Sequence, residues 1–239
     1  MWGDGMVYVS SDWHGVSVEA IKRLLDKAGF SDDDFLFVLG DIIDRGENGI
    51  ELIKEIMFEP NIKLIRGNHE QMMLACEFLL DEITDESLND FDMNKILALQ
   101  AWQINDGDIT MKRLRAESVE MREMIFEFLQ DTPLYDTVSV GNQDFLLVHS
   151  GLQLDEEGRL KKLSECSEDD ILWTRPKITD RYSDDFITIF GHTPTEAYGK
   201  EYSGKILRTD TWIDIDVGAV NGSSPCLLRL DDMREFYLE

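Results

Sequence analysis

Short apolar runs alternate with amphipathic stretches along the 239-residue chain. The apolar runs have the length of buried strands, and they are MVYVS (6–10), FLFVL (35–39), IKLI (62–65), FLLVH (145–149), FITIF (186–190), WIDIDV (212–217), CLLRL (226–230) and EFYL (235–238). Apolar residues at helical spacing predict helices at 18–27, 49–57 and 70–80, and near 93–104 and 117–130. This alternation predicts an α/β fold that is helix-rich over residues 70–130 and strand-rich toward the C-terminus. The last two runs flank Asp231-Asp232-Met233 and predict a hairpin.

The length and composition fit one domain that spans residues 1–239, with 43% hydrophobic residues to form a core. No apolar run has the length of a membrane helix, and the start MWGDGMVYVSSDWHG lacks the features of a signal peptide. The three cysteines, Cys76, Cys166 and Cys226, are odd in number and lack paired spacing. We therefore expect free thiols in a reducing compartment, a cytoplasmic location and no membrane partner.

The net charge of −26 argues against nucleic acid as the main partner, because no basic patch stands out. The same negative field would repel a phosphate substrate unless positive charge lies at the site. We expect most of the acid to be solvated surface, including Asp32, Asp33, Asp34 and the acids scattered from Asp81 to Asp92.

Polar residues follow each of the first five apolar runs, as SDWHG, GDIIDRG, RGNHE, HSG and GHTP. In open α/β sheets, ligands bind at the carboxyl ends of the strands. The chain has only four histidines, His14, His69, His149 and His192, and every one of them falls at such an end. The pattern predicts a single site built from five strand ends.

Imidazole, carboxylate and carboxamide groups without thiolate suit Mn²⁺, Fe or Zn²⁺ rather than a structural zinc site. Asp12 and His14 are two residues apart, so on an extended segment their side chains lie on one side. Asp41 has two carboxylate oxygens and could bridge two ions, and Asn68, His149 and His192 would complete the second ion. Two such ions, about 3.5–4 Å apart in known sites, bind a phosphate and activate a water. Two divalent ions and Arg45 would make the site positive despite Asp12 and Asp41.

The five motifs, in this order from about Ser10 to Val220, resemble those of the phosphoprotein phosphatase family of metal-dependent serine/threonine phosphatases. The chain is most similar to the compact bacterial and phage members, in which sequences like GNHEQMM recur. The resemblance implies the calcineurin-like metallophosphoesterase fold, a four-layer α/β/β/α sandwich of two mixed β-sheets flanked by helices. It also implies direct attack of a metal-bridging hydroxide on a phosphomonoester, without a phosphoenzyme.

The resemblance also implies roles for individual residues. Asp12, His14 and Asp41 would hold the first of two divalent ions, with Mn²⁺ expected and Fe or Zn²⁺ as alternatives. Asp41, Asn68, His149 and His192 would hold the second. His69 would be the general acid, and Asp44 would orient it. The phosphate would be bound by Arg45, Arg66, Arg175 and Asn68.

One position departs from the family's motifs. Ser11 stands where the family usually has glycine, and we expect this to change local backbone tightness rather than to abolish metal binding. Gly191-His192-Thr193-Pro194 lacks the second histidine that nucleases and phosphodiesterases of the wider metallophosphoesterase superfamily often carry. Together with Asp44-Arg45-Gly46, this favours the phosphatase branch.

Several other residues have a structural interpretation beside a functional one. Glu70 is as well explained as a first-turn helix acid as by a role in the site. For Trp13 and Trp173, core packing is favoured over contact with substrate, and Asn105-Asp106-Gly107 is interpreted as a turn. The segment 70–130 is where we expect substrate selectivity to arise.

Three functions follow from the sequence. The leading one is a serine/threonine protein phosphatase, acting on a phosphorylated protein or small phosphoester. A dinucleoside-polyphosphate hydrolase would share the same core motifs. A non-catalytic phosphoprotein-binding protein ranks low, because the whole set of ligands and the acid is present. The oligomeric state stays open.

Overall fold

The computed structural model describes residues 5–80, 92–219 and 223–238. The predicted surface acids at 81–91 lie outside these described residues.

Five strands form the first sheet, in the order β10-β9-β1-β2-β3. The strands are β1 (Val7–Ser10), β2 (Phe35–Val38), β3 (Ile62–Leu64), β9 (Cys226–Arg229) and β10 (Arg234–Tyr237). β1, β2 and β3 are parallel, while β9 pairs antiparallel with β1 and β10 with β9. The predicted C-terminal hairpin is therefore confirmed, and the three parallel strands end at one edge of the sheet.

Another five strands form the second sheet, in the order β4-β5-β6-β8-β7. They are β4 (Tyr135–Val140), β5 (Gln143–Val148), β6 (Ile187–Phe190), β7 (Leu207–Arg208) and β8 (Trp212–Asp214). β5, β6 and β8 are parallel, whereas β4 and β7 are antiparallel edge strands. Both sheets are thus mixed.

Alternation along the strands separates the layers. Val7, Val9 and Phe37 of the first sheet pack with Leu147 and Ile189 of the second, so these faces meet in the middle. The intervening residues point outward. Tyr8, Leu36 and Val38 pack against helices, and Val148, Phe190 and Trp212 pack under the loops and helix beyond the second sheet. This period-two pattern confirms the predicted sandwich of two mixed sheets flanked by helices.

The described α-helices are α1 (Val18–Ala28), α2 (Gly49–Ile56), α3 (Asn68–Leu74), α4 (Met93–Ile104), α5 (Asp108–Ala116), α6 (Val119–Gln130) and α7 (Glu168–Trp173). Short 3-10 turns occur at Glu77–Leu80, Leu163–Glu165, Thr195–Tyr198 and Lys200–Tyr202. The predicted helix 70–80 is corrected: α3 ends at Leu74 and a separate 3-10 turn follows. β4, β7, α5 and α7 were not predicted individually.

Three further expectations can be compared with the structure. All three cysteines are unpaired, as predicted. No helix in the described ranges is long and apolar enough to cross a membrane. Asp32 and Asp33 are exposed, but Asp34 is buried, and its carboxylate accepts hydrogen bonds from the N–H groups of Met6 and Ser31. The surface interpretation of Asp34 is therefore wrong.

Candidate metal and phosphate site

The ends of five strands deliver the predicted side chains to one place. Asp12 and His14 follow β1, Asp41, Asp44 and Arg45 follow β2, and the remaining positions follow β3, β5 and β6. The eight predicted ligand and acid-pair residues are between 0 and 6% exposed: Asp12, His14, Asp41, Asp44, Asn68, His69, His149 and His192. All four histidines thus belong to one buried cluster, as the strand-end pattern predicts.

The backbone at these positions is strained. Eight described non-glycine residues have positive φ, and six of them are predicted site residues: Asp12, His14, Asp41, Asp44, Arg45 and His192. Left-handed backbone is costly for side chains other than glycine, and such outliers concentrate at functional sites. The packing around these positions is also tight, because a side chain at Gly191 would overlap Ser11 and Asp12, and one at Gly67 would overlap Asp41.

One group of ligand atoms converges around Asn68. Single atoms of Asp41, His149 and His192 lie within 4.8 Å of one another. The Asn68 Oδ1 lies 2.8 Å from His149 Nε2 and 2.9 Å from His192 Nδ1. Four side chains from three strand ends and one helix start therefore point at a common centre.

The protonation states of these imidazoles are suited to binding a cation. His149 Nδ1 donates to the Leu39 carbonyl at 2.7 Å. The other ring nitrogen, Nε2, therefore carries a lone pair, and it lies 3.4 Å from Asp41 Oδ1. Burial lowers the pKa of His149 to about 3 and, with the nearby His149, that of His192 to about 2. Neutral imidazoles that face carboxylate and carboxamide oxygens in a buried site are the donor set of a divalent transition metal.

A second group lies around His14. Its Nδ1 donates to the Ile43 carbonyl at 3.1 Å, so its Nε2 faces the pocket. Atoms of His14, Asp41 and His69 lie within 4.8 Å of one another, and Asp12 Oδ1 is 3.8 Å from His14 Nε2. Asp41 therefore belongs to both groups, as its predicted bridging position requires.

Burial raises the pKa of both acidic ligands. The neighbouring Asp216 raises the pKa of Asp12 further, and the neighbouring Glu70 raises the pKa of Asp41 further. Ionised carboxylates are costly in such a place unless cations offset them. The residues present therefore fit two divalent ions, the first with Asp12, His14 and Asp41 and the second with Asp41, Asn68, His149 and His192.

His69 lies beside these groups, and the Asp44 carboxylate holds its ring. Its Nδ1 lies 2.6 Å from Asp44 Oδ2, and its Nε2 lies 3.8 Å from Asp41 Oδ2. The buried Asp44 carboxylate thus orients the ring so that Nε2 faces the pocket. This is the arrangement that the sequence predicts for an acid and its orienting carboxylate.

Arg45 and Arg175 reach the pocket, whereas Arg66 does not. The pocket has a volume of about 210 Å³ and is lined by His14, Asp41, Arg45, Asn68, His69, Asn105, Trp173, Arg175, His192, Pro194 and Asp216. Arg45 Nη1 lies 3.2 Å from His14 Nε2, and Arg175 Nη1 donates to the His192 carbonyl at 3.5 Å. Two guanidinium groups therefore flank the candidate metal ligands.

Arg66 contacts the C-terminal end of α6 instead. Its guanidinium donates to the carbonyls of Leu129, Gln130 and Thr132 at 2.7–3.2 Å, and also to Thr132 Oγ1 and Gln71 Oε1. Carbonyls at a helix end lack partners in the helix and favour a cation. The phosphate-binding position expected for Arg66 is therefore corrected to a structural one.

Glu70 is both a helix acid and a part of the site. Its buried carboxylate accepts hydrogen bonds from the N–H groups of Asp41 (2.8 Å), Ile42 (2.9 Å) and Gly67 (2.9 Å). These bonds join the loop after β2 to the start of α3. The two interpretations of Glu70 hold together, because one carboxylate caps the helix and positions the Asp41 backbone.

The tryptophans differ from each other. Trp13 is buried and donates to Ser10 Oγ at 2.7 Å, which confirms core packing. Trp173 is 40% exposed at the pocket, with its ring 5.8 Å from that of His192, so core packing is wrong for it. The Ser11 hydroxyl donates to Asp12 Oδ2, so the serine adds a side-chain contact to a candidate ligand.

Asp216 is a pocket residue that sequence reasoning missed. Burial raises the pKa of its carboxyl to about 6, and it lies near enough to Asp12 to raise the pKa of that acid too. Like the predicted residues, it follows a strand, β8, of a mixed sheet. The signal was therefore present in WIDIDV, where it was assigned to the strand itself.

Comparisons with known proteins agree with this geometry. The chain is 27% identical over 229 residues to serine/threonine-protein phosphatase 1 of Salmonella typhimurium, covering 94% of this chain and 91% of that protein. It is also 27% identical over 194 residues to the symmetrical bis(5'-nucleosyl)-tetraphosphatase of Haemophilus ducreyi, covering 79% of this chain but 59% of that protein. A crystal structure assigned as a diadenosine tetraphosphatase has the same fold, with a TM-score of 0.63, 15% identity and coverage of 99% of this chain and 94% of that one.

The model of one protein family extends over eight of the ten described strands. It matches residues 6–217, from the start of β1 to beyond β8, and includes every motif of the candidate site. The chain therefore belongs to the Calcineurin-like phosphoesterase family.

Proposed function

We propose that this metallophosphoesterase is a phosphomonoesterase of the serine/threonine protein phosphatase type, with residues 1–239 acting as one domain. The observation that carries the proposal is one pocket lined by His69, two arginines and four of the candidate metal ligands, with Asp44 hydrogen-bonded to His69. This pocket offers cationic groups for one phosphate and a proton donor for its leaving oxygen. The match over 91% of a serine/threonine phosphatase supports the same function.

Two divalent ions complete the proposed site, with Mn²⁺ expected and Fe or Zn²⁺ as alternatives. Asp12, His14 and Asp41 would hold the first, and Asp41, Asn68, His149 and His192 the second. When bound, the ions supply Lewis acidity, which offsets the charge of the phosphate and acidifies water.

Side chains of the pocket divide the remaining work. Arg45 and Arg175 bind phosphate oxygens from two sides, with the Asn68 amide beside them, and a guanidinium can bind two oxygens at once. His69 Nε2 faces the pocket and donates a proton to the leaving oxygen, while Asp44 keeps the ring in place. An alkoxide leaving group such as that of serine needs this proton most.

The proposal predicts Mn²⁺-dependent turnover of a phosphoserine or phosphothreonine peptide. The measurement is kcat/KM on such a peptide and on diadenosine tetraphosphate, with and without a chelator. Higher kcat/KM on the peptide supports the proposal, and a clear preference for the nucleotide overturns it. Absence of all hydrolysis, with no effect of chelator, would exclude phosphoesterase activity altogether.

His69→Asn tests the proton donor. The variant should keep its metal content, because the two proposed ion sites do not use His69, but lose about 10²–10⁴-fold in rate on a phosphopeptide. An aryl phosphate with a good leaving group should be affected much less. Unchanged turnover of the phosphopeptide would exclude the acid role.

A dinucleoside-polyphosphate hydrolase is the second candidate function, and one feature favours it. Trp173 is exposed at the pocket edge, and a neighbouring cleft of about 390 Å³ shares Arg175 with the pocket and includes Lys177. A base could stack on Trp173 while further phosphates contact Arg175 and Lys177. The same pair of substrates distinguishes the two candidates. A non-catalytic binding function stays ranked low, because four of the six predicted ligands and the predicted acid line one pocket.

A further inference from the structure

Asp44 is a fully buried carboxylate with two side-chain donors on the same oxygen. Its Oδ2 lies 2.6 Å from His69 Nδ1 and accepts the indole N–H of Trp102 at 2.9 Å. Its Oδ1 is buried without a hydrogen-bond partner among residues 5–80, 92–219 and 223–238. The two contacts of Oδ2 therefore determine the orientation of the carboxylate.

The backbone of Asp44 is restrained as well. Its N–H donates to Thr110 Oγ1 at 2.9 Å, and its φ of 65° lies in the left-handed region. Such a conformation is costly for aspartate unless its surroundings hold it. Trp102 lies on α4 and Thr110 on α5, so two helices more than fifty residues along the chain hold one residue of the β2 loop, one by its carboxylate and the other by its backbone N–H.

The turn between α4 and α5 is shaped around this contact. Asn105-Asp106-Gly107 forms the predicted turn. Any side chain at Gly107 would overlap the indole of Trp102, and the Asp106 carbonyl accepts the N–H of Arg45 at 3.4 Å. Trp102, the turn and Thr110 thus form one unit that packs against Asp44 and Arg45.

We propose that Trp102 and Thr110 are positioning residues for the general acid, which hold Asp44 so that His69 points Nε2 at the leaving oxygen. The role of the helical segment α4–α5 is then to hold the His69–Asp44 pair in place. The inference rests on the proposed phosphomonoesterase function, because it concerns the proton that His69 donates.

Core packing is the alternative explanation for a buried tryptophan. A core role predicts lost stability and an equal loss of activity on every substrate. A positioning role predicts a loss that depends on how much the leaving group needs a proton. Two phosphate esters therefore separate the explanations: phenyl phosphate, with a poor leaving group, and 2,4-dinitrophenyl phosphate, with a good one.

The experiment measures kcat and KM of the metal-saturated full chain on both esters for Trp102→Phe and Thr110→Val. Partners that orient an active-site group are typically worth about 10–100-fold. We expect a loss of kcat in this range on phenyl phosphate, a change below about threefold on the dinitrophenyl ester, and little change in KM. Thr110→Ser keeps the hydroxyl and should restore the rate that Thr110→Val loses.

Trp212→Phe is the matched control for folding. Trp212 is equally buried, its indole donates to the Asp180 carbonyl, and it packs in a different hydrophobic cluster from Trp102. It should lower the melting temperature as Trp102→Phe does, without leaving-group dependence. In ¹⁵N-tryptophan-labelled protein without metal, the indole N–H signal of Trp102 should also shift in Asp44→Asn.

Equal losses on the two esters, or full activity of Thr110→Val on phenyl phosphate, would overturn the inference. An unshifted Trp102 indole signal in Asp44→Asn would overturn it independently of turnover. Wild-type protein that hydrolyses neither ester would instead overturn the proposed function on which the inference rests.

Discussion

Replacing Arg66 with methionine distinguishes two roles for the arginine that precedes Gly67-Asn68-His69. The family resemblance implies that Arg66 binds phosphate, whereas the structure directs its guanidinium to the end of α6. Methionine keeps most of the aliphatic stem and removes the charge and all five donated hydrogen bonds.

The expected effect on stability follows from those contacts. Hydrogen bonds to a charged group contribute about 1.5–3 kcal/mol net, and a cation at a helix C-terminus about 0.3–1 kcal/mol. Arg66 is partly exposed, so water replaces some of the lost donors. We therefore expect a loss of about 2 kcal/mol in the free energy of unfolding, which is about 4–8 °C in melting temperature for a chain of this size.

The assay pairs thermal denaturation with steady-state kinetics on an aryl phosphate. Arg66→Met should lower the melting temperature and leave KM of the metal-saturated enzyme nearly unchanged. Arg175→Met is the matched control, because Arg175 lines the pocket and makes only a 3.5 Å hydrogen bond to the His192 carbonyl. It should raise KM with little change in melting temperature.

The opposite pattern would refute this reasoning. If Arg66→Met melts like the wild type but has a KM raised about tenfold or more, the guanidinium contributes to substrate binding by about 1.4 kcal/mol or more. The contacts with α6 would then not describe the working enzyme.

Two further predictions concern buried acids of the site. Asp41→Asn should lose metal, because this carboxylate belongs to both ligand groups, and full metal content after dialysis would contradict the bridging position. Asp216→Asn should stabilise the metal-free protein above pH 6, because burial raises the pKa of Asp216 from 3.8 to about 6. The folded state then keeps a proton that the unfolded chain releases, so stability present below about pH 4 is lost as the pH rises through 6, by about 3 kcal/mol. Melting curves without metal at pH 5 and 7.5 should record about 1.4 kcal/mol of this loss, and an unchanged pH dependence in the variant would contradict it.

Strands with a strong apolar pattern were predictable from local sequence. β1, β2, β5 and β6 coincide closely with the predicted runs, because both faces of each strand are covered and nearly every position is apolar. β4 was missed because it is an edge strand, and only Val138 is buried among residues 135–140. α7 has six residues, too few for a helical period to be recognised.

The helix after β3 shows a similar limit. Apolar spacing predicts one helix over 70–80, but α3 starts at Asn68 and ends at Leu74. Its start depends on the Glu70 carboxylate, which accepts the Gly67 N–H together with those of Asp41 and Ile42 from another loop. A boundary set by contacts with a distant segment is not encoded in local periodicity.

The sequence by itself determined the α/β class and which residue types gather at the strand ends. It did so because strand ends are local features, and a histidine or aspartate after a buried run is visible without any long-range information. The candidate ligands, the proposed acid pair and Arg45 could therefore be selected from five short motifs.

Tertiary structure alone decided which of the polar residues reach the pocket. Arg66 and Asn68 are two positions apart, yet one contacts α6 and the other the candidate metal centre. Asp216 lines the pocket, and Trp102 and Thr110 contact Asp44, from segments whose sequence is typical of helix or strand. The physical reason is that side-chain direction depends on the packing of elements far apart in the chain, which no local pattern contains.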